Sequence, residues 1–280
     1  MLTKTLSIIT INKNNAAGLE ETIQSVVAQT STDFEYIVID GASDDESTTV
    51  IGKYTDKINY WISEPDTGVY NAMNKGIDKA QGIYCLFLNS GDILVSPKTL
   101  DNVFKEVEGN PADIFYSDMI KSTNAIEHYP KILTMNYLVR RTISHQNALI
   151  KRSLFLEHGY YNENLKVASD WEFFLKEFWK HKSTFCHIET IISVFDVTGI
   201  GSQKCLEDIH HQEHRIVLQN IFNELSDVII DYRVFYKTIY YDIYKNYGEQ
   251  KILVFLLRIC RKIMILRKHV FSFFVKSKVK

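Results

Sequence analysis

Four strand-length apolar runs alternate with helical patterns over about the first 90 residues, and each run closes in polar or glycine-bearing residues. Leu6–Ile11 leads into Asn12-Lys13-Asn14-Asn15, and Phe34–Ile39 into Asp40-Gly41-Ala42-Ser43-Asp44-Asp45. Ile58–Ile62 leads toward the turn Pro65-Asp66-Thr67-Gly68, and Tyr84–Leu88 into Asn89-Ser90-Gly91-Asp92. Between them, Leu19, Ile23, Val26 and Val27 carry helical spacing, as do Glu46–Tyr54 and Val69–Ala80. Strand–helix alternation of this kind predicts an α/β fold, a doubly wound and mostly parallel sheet flanked by helices. In such sheets ligands bind outside the carboxyl ends of the strands, so the polar run ends are the first place to look for chemistry.

After Asp92 the pattern is less regular. Helices are expected at Pro97–Val107, Arg152–His158, Ala168–Trp179 and Cys205–Leu225, and strands at Ile114–Tyr116, Ser144–Ile150, Thr184–His187 and Ile191–Phe195. The chain of 280 residues is 45% hydrophobic and 24% charged, ordinary for a globular protein. Its four cysteines have no metal-ligand or disulfide spacing, which suits a reducing cytoplasm. No secretory signal is expected, and no apolar run reaches the ~20 residues that span a bilayer.

At the run ends, Thr10, Asn12 and Asp40 bring a hydroxyl, an amide and a carboxylate side by side, a set able to hydrogen-bond a nucleobase edge. Asp40 and Ser43 equally suit the cap of the following helix. Lys75 lies where it could neutralise a diphosphate, or stand as an ordinary solvated lysine. Asp92 with Asn89 offers hard oxygen donors of the kind Mg²⁺ or Mn²⁺ takes when phosphates and waters complete the shell. The absence of a Walker pattern and of G-x-G-x-x-G after the first strand disfavours a P-loop NTPase and a dinucleotide-dependent dehydrogenase.

Four segments together resemble the family 2 glycosyltransferases: Ser7–Asn12, Ile37–Asp45, Asn71–Ile77 and Phe87–Asp92, in the same order and at similar spacing. The similarity runs over roughly residues 5–200. It implies an inverting enzyme of GT-A fold acting on a nucleotide-activated sugar. Thr10, Asn12, Asp40, Lys75 and Ser90 would then bind the nucleotide, and a D-x-D-type element at Asn89–Asp92 would bind a divalent metal. This chain departs there, with one carboxylate, Asp92, where the family usually has two or three. The resemblance also implies that Asp170, in Ala168-Ser169-Asp170-Trp171, is the catalytic base. Glu172, two positions on and roughly 200° around a helix, should point elsewhere. Acceptor-facing groups are expected at His145, Gln146 and Trp171, and Gly199–Ser202 resembles a segment that closes over bound donor.

Residues 251–280 hold nine Lys/Arg and no Asp/Glu, leaving 23 basic against 34 acidic side chains before them. Lys251, Arg258, Lys262, His269 and Lys276 form one polar stripe on an otherwise apolar stretch, the pattern of a helix lying in an anionic membrane surface. Packing on Tyr232–Tyr247 or a dimer contact would use the same pattern. His210, His211 and His214 lack a further ligand and read as a solvated helix face.

The expected organisation is a GT-A catalytic domain over 1–203, with a nucleotide-sugar half (1–92) and an acceptor half (93–203). A helical extension (204–250) and a membrane-surface helix (251–280) follow. The expected activity is transfer of a sugar from a UDP-sugar to a glycan or lipid-linked saccharide at the cytoplasmic face of the membrane. Alternatives are a nucleotidyltransferase and a catalytically inactive nucleotide-sugar-binding scaffold. No nucleic-acid partner is expected.

Overall fold

In the computed structural model, residues 5–198 and 207–235 are described. Strand β1 (Leu6–Asn12) is buried at every position, as a strand covered on both faces must be. It lies between β2 (Phe34–Asp40) and β4 (Tyr84–Asn89), parallel to both. The register sets Asn12 beside Asp40 and Ile11 beside Asn89, and β3 (Tyr60–Ser63) continues the row with Ser63 beside Asp40. Helix α1 (Ala16–Val27) starts at Asn15, whose side chain accepts from the Gly18 N–H at 3.1 Å. Its buried Leu19, Ile23 and Val26 lie on one stripe against the sheet. The short α2 (Ser47–Lys53) follows β2, and α3 (Val69–Lys79) covers the other face. At Gly76 of α3 a Cβ would lie 2.4 Å from Ile9 Cγ2, so only glycine lets the helix lie this close to β1.

Beyond Asp92 come β5 (Ile93–Leu94), α4 (Thr99–Val107), β6 (Ile114–Tyr116), β7 (Met119–Lys121), β8 (Ile126–Glu127), α5 (Met135–Leu138) and β9 (Ala148–Lys151). Then follow α6 (Arg152–His158), α7 (Ser169–Lys176), β10 (Phe185–His187), β11 (Ser193–Phe195) and α8 (Glu207–Phe222). The main sheet has seven strands in the order β10-β6-β9-β4-β1-β2-β3. Only β9 runs against its neighbours, so the carboxyl ends of the other six share one edge. A second sheet, β5-β11-β7-β8, begins directly after Asp92.

Several expectations change. Ser144–Ile150 is not one strand: His145–Asn147 curls into a 3-10 turn before β9. The Asn147 side chain causes this by taking ladder-like bonds itself, donating to Ser193 Oγ at 2.9 Å and accepting from the Ser193 N–H at 3.0 Å. Helix α7 ends at Lys176 and passes into a π turn, Glu177–His181, closed by Lys182 at φ 60°. Glu177 is buried there and pairs with His158 Nδ1 at 3.0 Å. The second sheet was not anticipated, because strands of two or three residues carry no readable period.

The first compact unit ends at Ile221, beyond the expected boundary at 203. The physical reason is Glu213 of α8. Its buried carboxylate accepts from the N–H groups of Lys166, Val167 and Ala168 at 2.6, 3.0 and 3.1 Å, immediately before α7. The second unit begins at Phe222 and contains a 3-10 turn and α9 (Ser226–Phe235). The Gly199–Ser202 loop, residues 204–206 and 236–250 of the expected extension and all of 251–280 lie outside the described residues. Among the described residues no helix is long and apolar enough to cross a membrane.

Glu213→Ala would leave three backbone donors without their acceptor, at about 1–3 kcal/mol for each one left buried and unpaired. Urea denaturation should show a loss of about 3 kcal/mol or more; a loss under 1 kcal/mol would mean that solvent replaces the carboxylate.

Candidate active site

The strand ends expected to hold the nucleotide carry a hydrogen-bond set around Asp40. Its carboxylate accepts from Asn12 Nδ2 (2.8 Å), Ser43 Oγ (2.6 Å), the Ser43 N–H (3.0 Å) and Ser63 Oγ (2.6 Å). Burial alone would push Asp40 up, but these donors outweigh it and hold the carboxyl below its ordinary value. Asn12 Nδ2 also donates to Ser47 Oγ at 2.9 Å, which leaves Asn12 Oδ1 buried without a partner. Thr10 differs from expectation. Its hydroxyl is wholly buried and accepts from the Tyr36 hydroxyl at 3.0 Å, so it serves the floor beneath the edge rather than the open edge. Lys75 Nζ is held by Glu64 Oε1 and the Pro65 carbonyl, both at 2.8 Å.

At the end of β4 the chain turns sharply. The Ser90 N–H donates to the Ile11 carbonyl at 3.0 Å, and Asn15 Nδ2 donates to the Ser90 carbonyl at 3.1 Å. Gly91 adopts φ +105°, a conformation L side chains rarely take. Asp92 is 2% exposed; it accepts from the Asn89 N–H at 3.1 Å and from the Asp196 N–H at 2.9 Å. Burial pushes its carboxyl up to about 6 despite those bonds, the nearby His145 and the Gln146 side chain. Asn89 Oδ1 is buried and has no partner.

Asp170 stands in the first turn of α7. Its Oδ1 accepts from the Tyr70 hydroxyl (3.0 Å) and the Trp171 N–H (2.9 Å), and its Oδ2 lies 3.2 Å from His145 Nδ1. Burial would raise it, but His145, the Trp171 N–H and Tyr70 together hold it below the ordinary value. His145 Nε2 lies 3.4 Å from Asn89 Nδ2. The network therefore assigns Nδ1–H as donor to Asp170 and Nε2 as acceptor from Asn89, which turns the amide so that Oδ1 is left over. One imidazole thus joins the end of β4 to α7.

The groups expected to face an acceptor turn out to lie deeper. His145 and Gln146 are 8% and 3% exposed, and Gln146 is held by the Ser144 hydroxyl and lies against Asp92. Trp171 is 2% exposed and donates from Nε1 to the Leu138 carbonyl at 2.6 Å; its ring lies 4.1 Å from His214. It anchors α7. Glu172 points away from Asp170 as expected, buried and paired with Lys176 at 3.0 Å. Of the three histidines read as a solvated face, His214 is instead part of this packing. Tyr70 and Asp196 had no readable signal, since both reach the site only through the tertiary fold.

The site's arrangement can be set beside known proteins. The family model described as "Glycosyl transferase family 2" matches residues 7–168. The chain belongs to this family. It is a glycosyltransferase of GT-A fold. A "PGL/p-HBAD biosynthesis glycosyltransferase" of Mycobacterium bovis is 30% identical over 197 residues, 69% of this chain and 77% of its own length. An "uncharacterized glycosyltransferase" of Mycobacterium tuberculosis is 31% identical over 209 residues, 71% of this chain and 78% of its own. Among solved structures, S. aureus TarS 1–349 superposes with a TM-score of 0.65 at 18% identity, over 88% of this glycosyltransferase and 76% of TarS. That fragment has also been solved with UDP and with UDP-GlcNAc. Mannosyltransferase PcManGT from Pyrobaculum calidifontis, in complex with GDP-Man and Mn²⁺, gives 0.63 at 13% identity, over 93% of this chain and 80% of its own.

Asp40→Asn tests the nucleotide end. A carboxyl whose folded value is depressed adds stability above its unfolded value near 3.9, and that stability is lost as pH falls through the folded value. Thermal melts should show the variant less stable than wild type at pH 7, with the gap narrowing below about pH 4. A gap independent of pH would remove the ionised carboxylate as its cause.

Proposed function

We propose that this glycosyltransferase inverts the anomeric centre of a UDP-sugar and transfers the sugar to a hydroxyl of a glycan or lipid-linked saccharide, with Asp170 as general base. The observation that carries this reading is the environment of Asp170. It is an ionised carboxylate at the head of a helix, oriented by Tyr70 and His145 and joined through one imidazole to the end of β4. Such a carboxylate accepts the proton of the acceptor hydroxyl while the oxygen attacks the anomeric carbon. The bond from that carbon to the diphosphate oxygen breaks on the opposite face, and the nucleoside diphosphate leaves with the electron pair. His145 and Tyr70 keep Asp170 aimed and leave one carboxylate lone pair for the acceptor.

In this reading the Asn12–Asp40–Ser63 set receives the nucleoside, with Asn12 Oδ1 as its uncommitted acceptor. Thr10 supports that set from below, and Ser90 borders it through Asn15. Lys75 reaches the diphosphate by exchanging Glu64 for phosphate oxygens. The residues at the end of β4 fit a divalent cation of the Mg²⁺ or Mn²⁺ type. Asn89 Oδ1 is a buried oxygen without a partner, and the nearby Asp92 is a carboxylate whose charge burial opposes. Bound there, such an ion would stabilise the negative charge of the departing diphosphate.

Asp170→Asn should lower kcat by about 100-fold or more, the range for removing a general base, with UDP affinity within about twofold of wild type. Near wild-type turnover would take the base role from Asp170.

The basic stripe of 251–280 supports a second element of the reading, peripheral attachment to an anionic, cytoplasmic membrane surface where a lipid-linked acceptor would be presented. A chain truncated at residue 250 should lose binding to phosphatidylglycerol-containing vesicles in a flotation assay. Equal binding by the truncated chain would assign the tail another role.

A further inference from the structure

The acidic element at the end of β4 is short of carboxylates. Counted as D-x-D from Asn89, its second acidic position falls at residue 91, where this chain has glycine. We propose that Asp196, brought in from the end of β11, supplies the carboxylate that position 91 lacks and completes the divalent-cation site with Asp92 and Asn89. This inference rests on the nucleotide-sugar reading above.

Strand register brings Asp196 to the turn after β4. β5 and β11 pair antiparallel, Leu94 with Ser193 and Ile93 with Val194. Extending that ladder by two steps sets Gly91 opposite Asp196. The side chains then meet as the ladder requires: a Cβ built on Gly91 would lie 2.7 Å from Asp196 Oδ2 and 3.2 Å from Asp196 Cβ. The Asp196 carboxylate thus occupies the space that a side chain at 91 would enter. Glycine at that position has two causes, the backbone at φ +105° and the room Asp196 needs.

A backbone bond ties Asp196 to Asp92. The Asp196 N–H donates to Asp92 Oδ1 at 2.9 Å, so the two acids are held together although 104 positions apart. Asp196 itself is half-buried, and among the described residues its oxygens accept from Thr198 alone, from the N–H at 2.9 Å and from the hydroxyl at 2.7 Å. Each oxygen keeps a lone pair, and among the described residues no basic side chain bonds to either. Asp92, held by the Asp196 N–H and the Asn89 N–H, thus links the Asp196 carboxylate to the turn that carries the buried, unpartnered Asn89 Oδ1, and the three residues offer oxygen donors of the kind a divalent cation takes. The site is then assembled from the β4–β5 turn and the β11 terminus, and its affinity reports on the small second sheet as well as on the sequence of the turn.

The test uses the full chain and reads binding rather than turnover. Calorimetry in EDTA gives the affinity for UDP alone. Loss of the free Mn²⁺ electron paramagnetic resonance signal gives the affinity for Mn²⁺ in saturating UDP. Asp196→Asn, whose amide oxygen can still accept from Thr198, should keep the melting temperature and the metal-free UDP affinity. It should weaken Mn²⁺ by about tenfold or more, as expected when one charged ligand is removed. If the variant does not fold, Asp196→Ser, whose hydroxyl can hold the same turn, replaces it with the same expectation. Mn²⁺ affinity within about twofold of wild type in a folded variant would overturn the assignment of Asp196, as would wild-type protein that binds UDP but no Mn²⁺. Wild-type protein that binds no UDP would instead overturn the nucleotide-sugar reading, and this inference with it.

Discussion

Complete burial of β1 is the constraint on which the rest of the structure depends. A strand covered on both faces and paired on both sides has no water for its backbone, so its N–H and C=O groups must find partners in the protein. Along the strand the ladders provide this. At its carboxyl end the ladders stop, and side chains take over: Asn12 turns to Asp40 and Ser47, and the N–H of Ser90 reaches back to Ile11. The polar edge on which nucleotide chemistry is proposed is therefore also the termination of the core. Stability and ligand geometry share the same bonds there.

The chain after Asp92 is attached to this edge by few but well-directed contacts. His145 sits in a 3-10 turn whose shape is set by Asn147, and it spans from Asn89 to Asp170. Asn74 of α3 binds the backbone of Tyr161 in both directions, at 2.9 and 3.1 Å, and its amide also reaches Glu163 at 2.8 Å. Glu213 clamps the three residues before α7. Position and charge of Asp170 thus follow from polar groups on α3, α8 and the turn before β9. The aromatic packing of Phe87, Phe155, Tyr161 and Phe173 supplies the apolar layer beneath.

What could be read from sequence divides along physical lines. The first four strands and three helices were legible because each is long enough to show a period and each ends in a recognisable break. Asn12, Asp40, Asn89 and Asp92 stand out as polar residues at strand ends, where the fold class puts chemistry, whereas Asp170 is singled out only by the resemblance to the family. Thr10 and Trp171 were misread as ligand-facing, because a hydroxyl or an indole beside a site looks the same in sequence whether it points outward or supports from beneath. Tyr36 and the Leu138 carbonyl, which claim them, lie 26 and 33 positions away. Asp196 has no signal of its own for the same reason, as it meets the β4–β5 turn only through a two-residue strand pairing.

The antiparallel β9 has a consequence for assembly. β1 to β4 close among themselves within the first 90 residues, with Cys85 already paired to Ser7. On its other side Cys85 must wait for Ile150, and β6 and β10 join the sheet only through β9. A chain leaving the ribosome can thus complete one layer of parallel strands while β4 still presents an open edge. Closing that edge requires a loop of some sixty residues, a modest entropic cost that grows slowly with length. The late step delivers His145 and Asp170 together. The carboxylate proposed as base therefore reaches the edge proposed for the nucleotide only once the sheet has no unfinished side there, and synthesis order separates the folding of that edge from the arrival of the chemistry proposed for it.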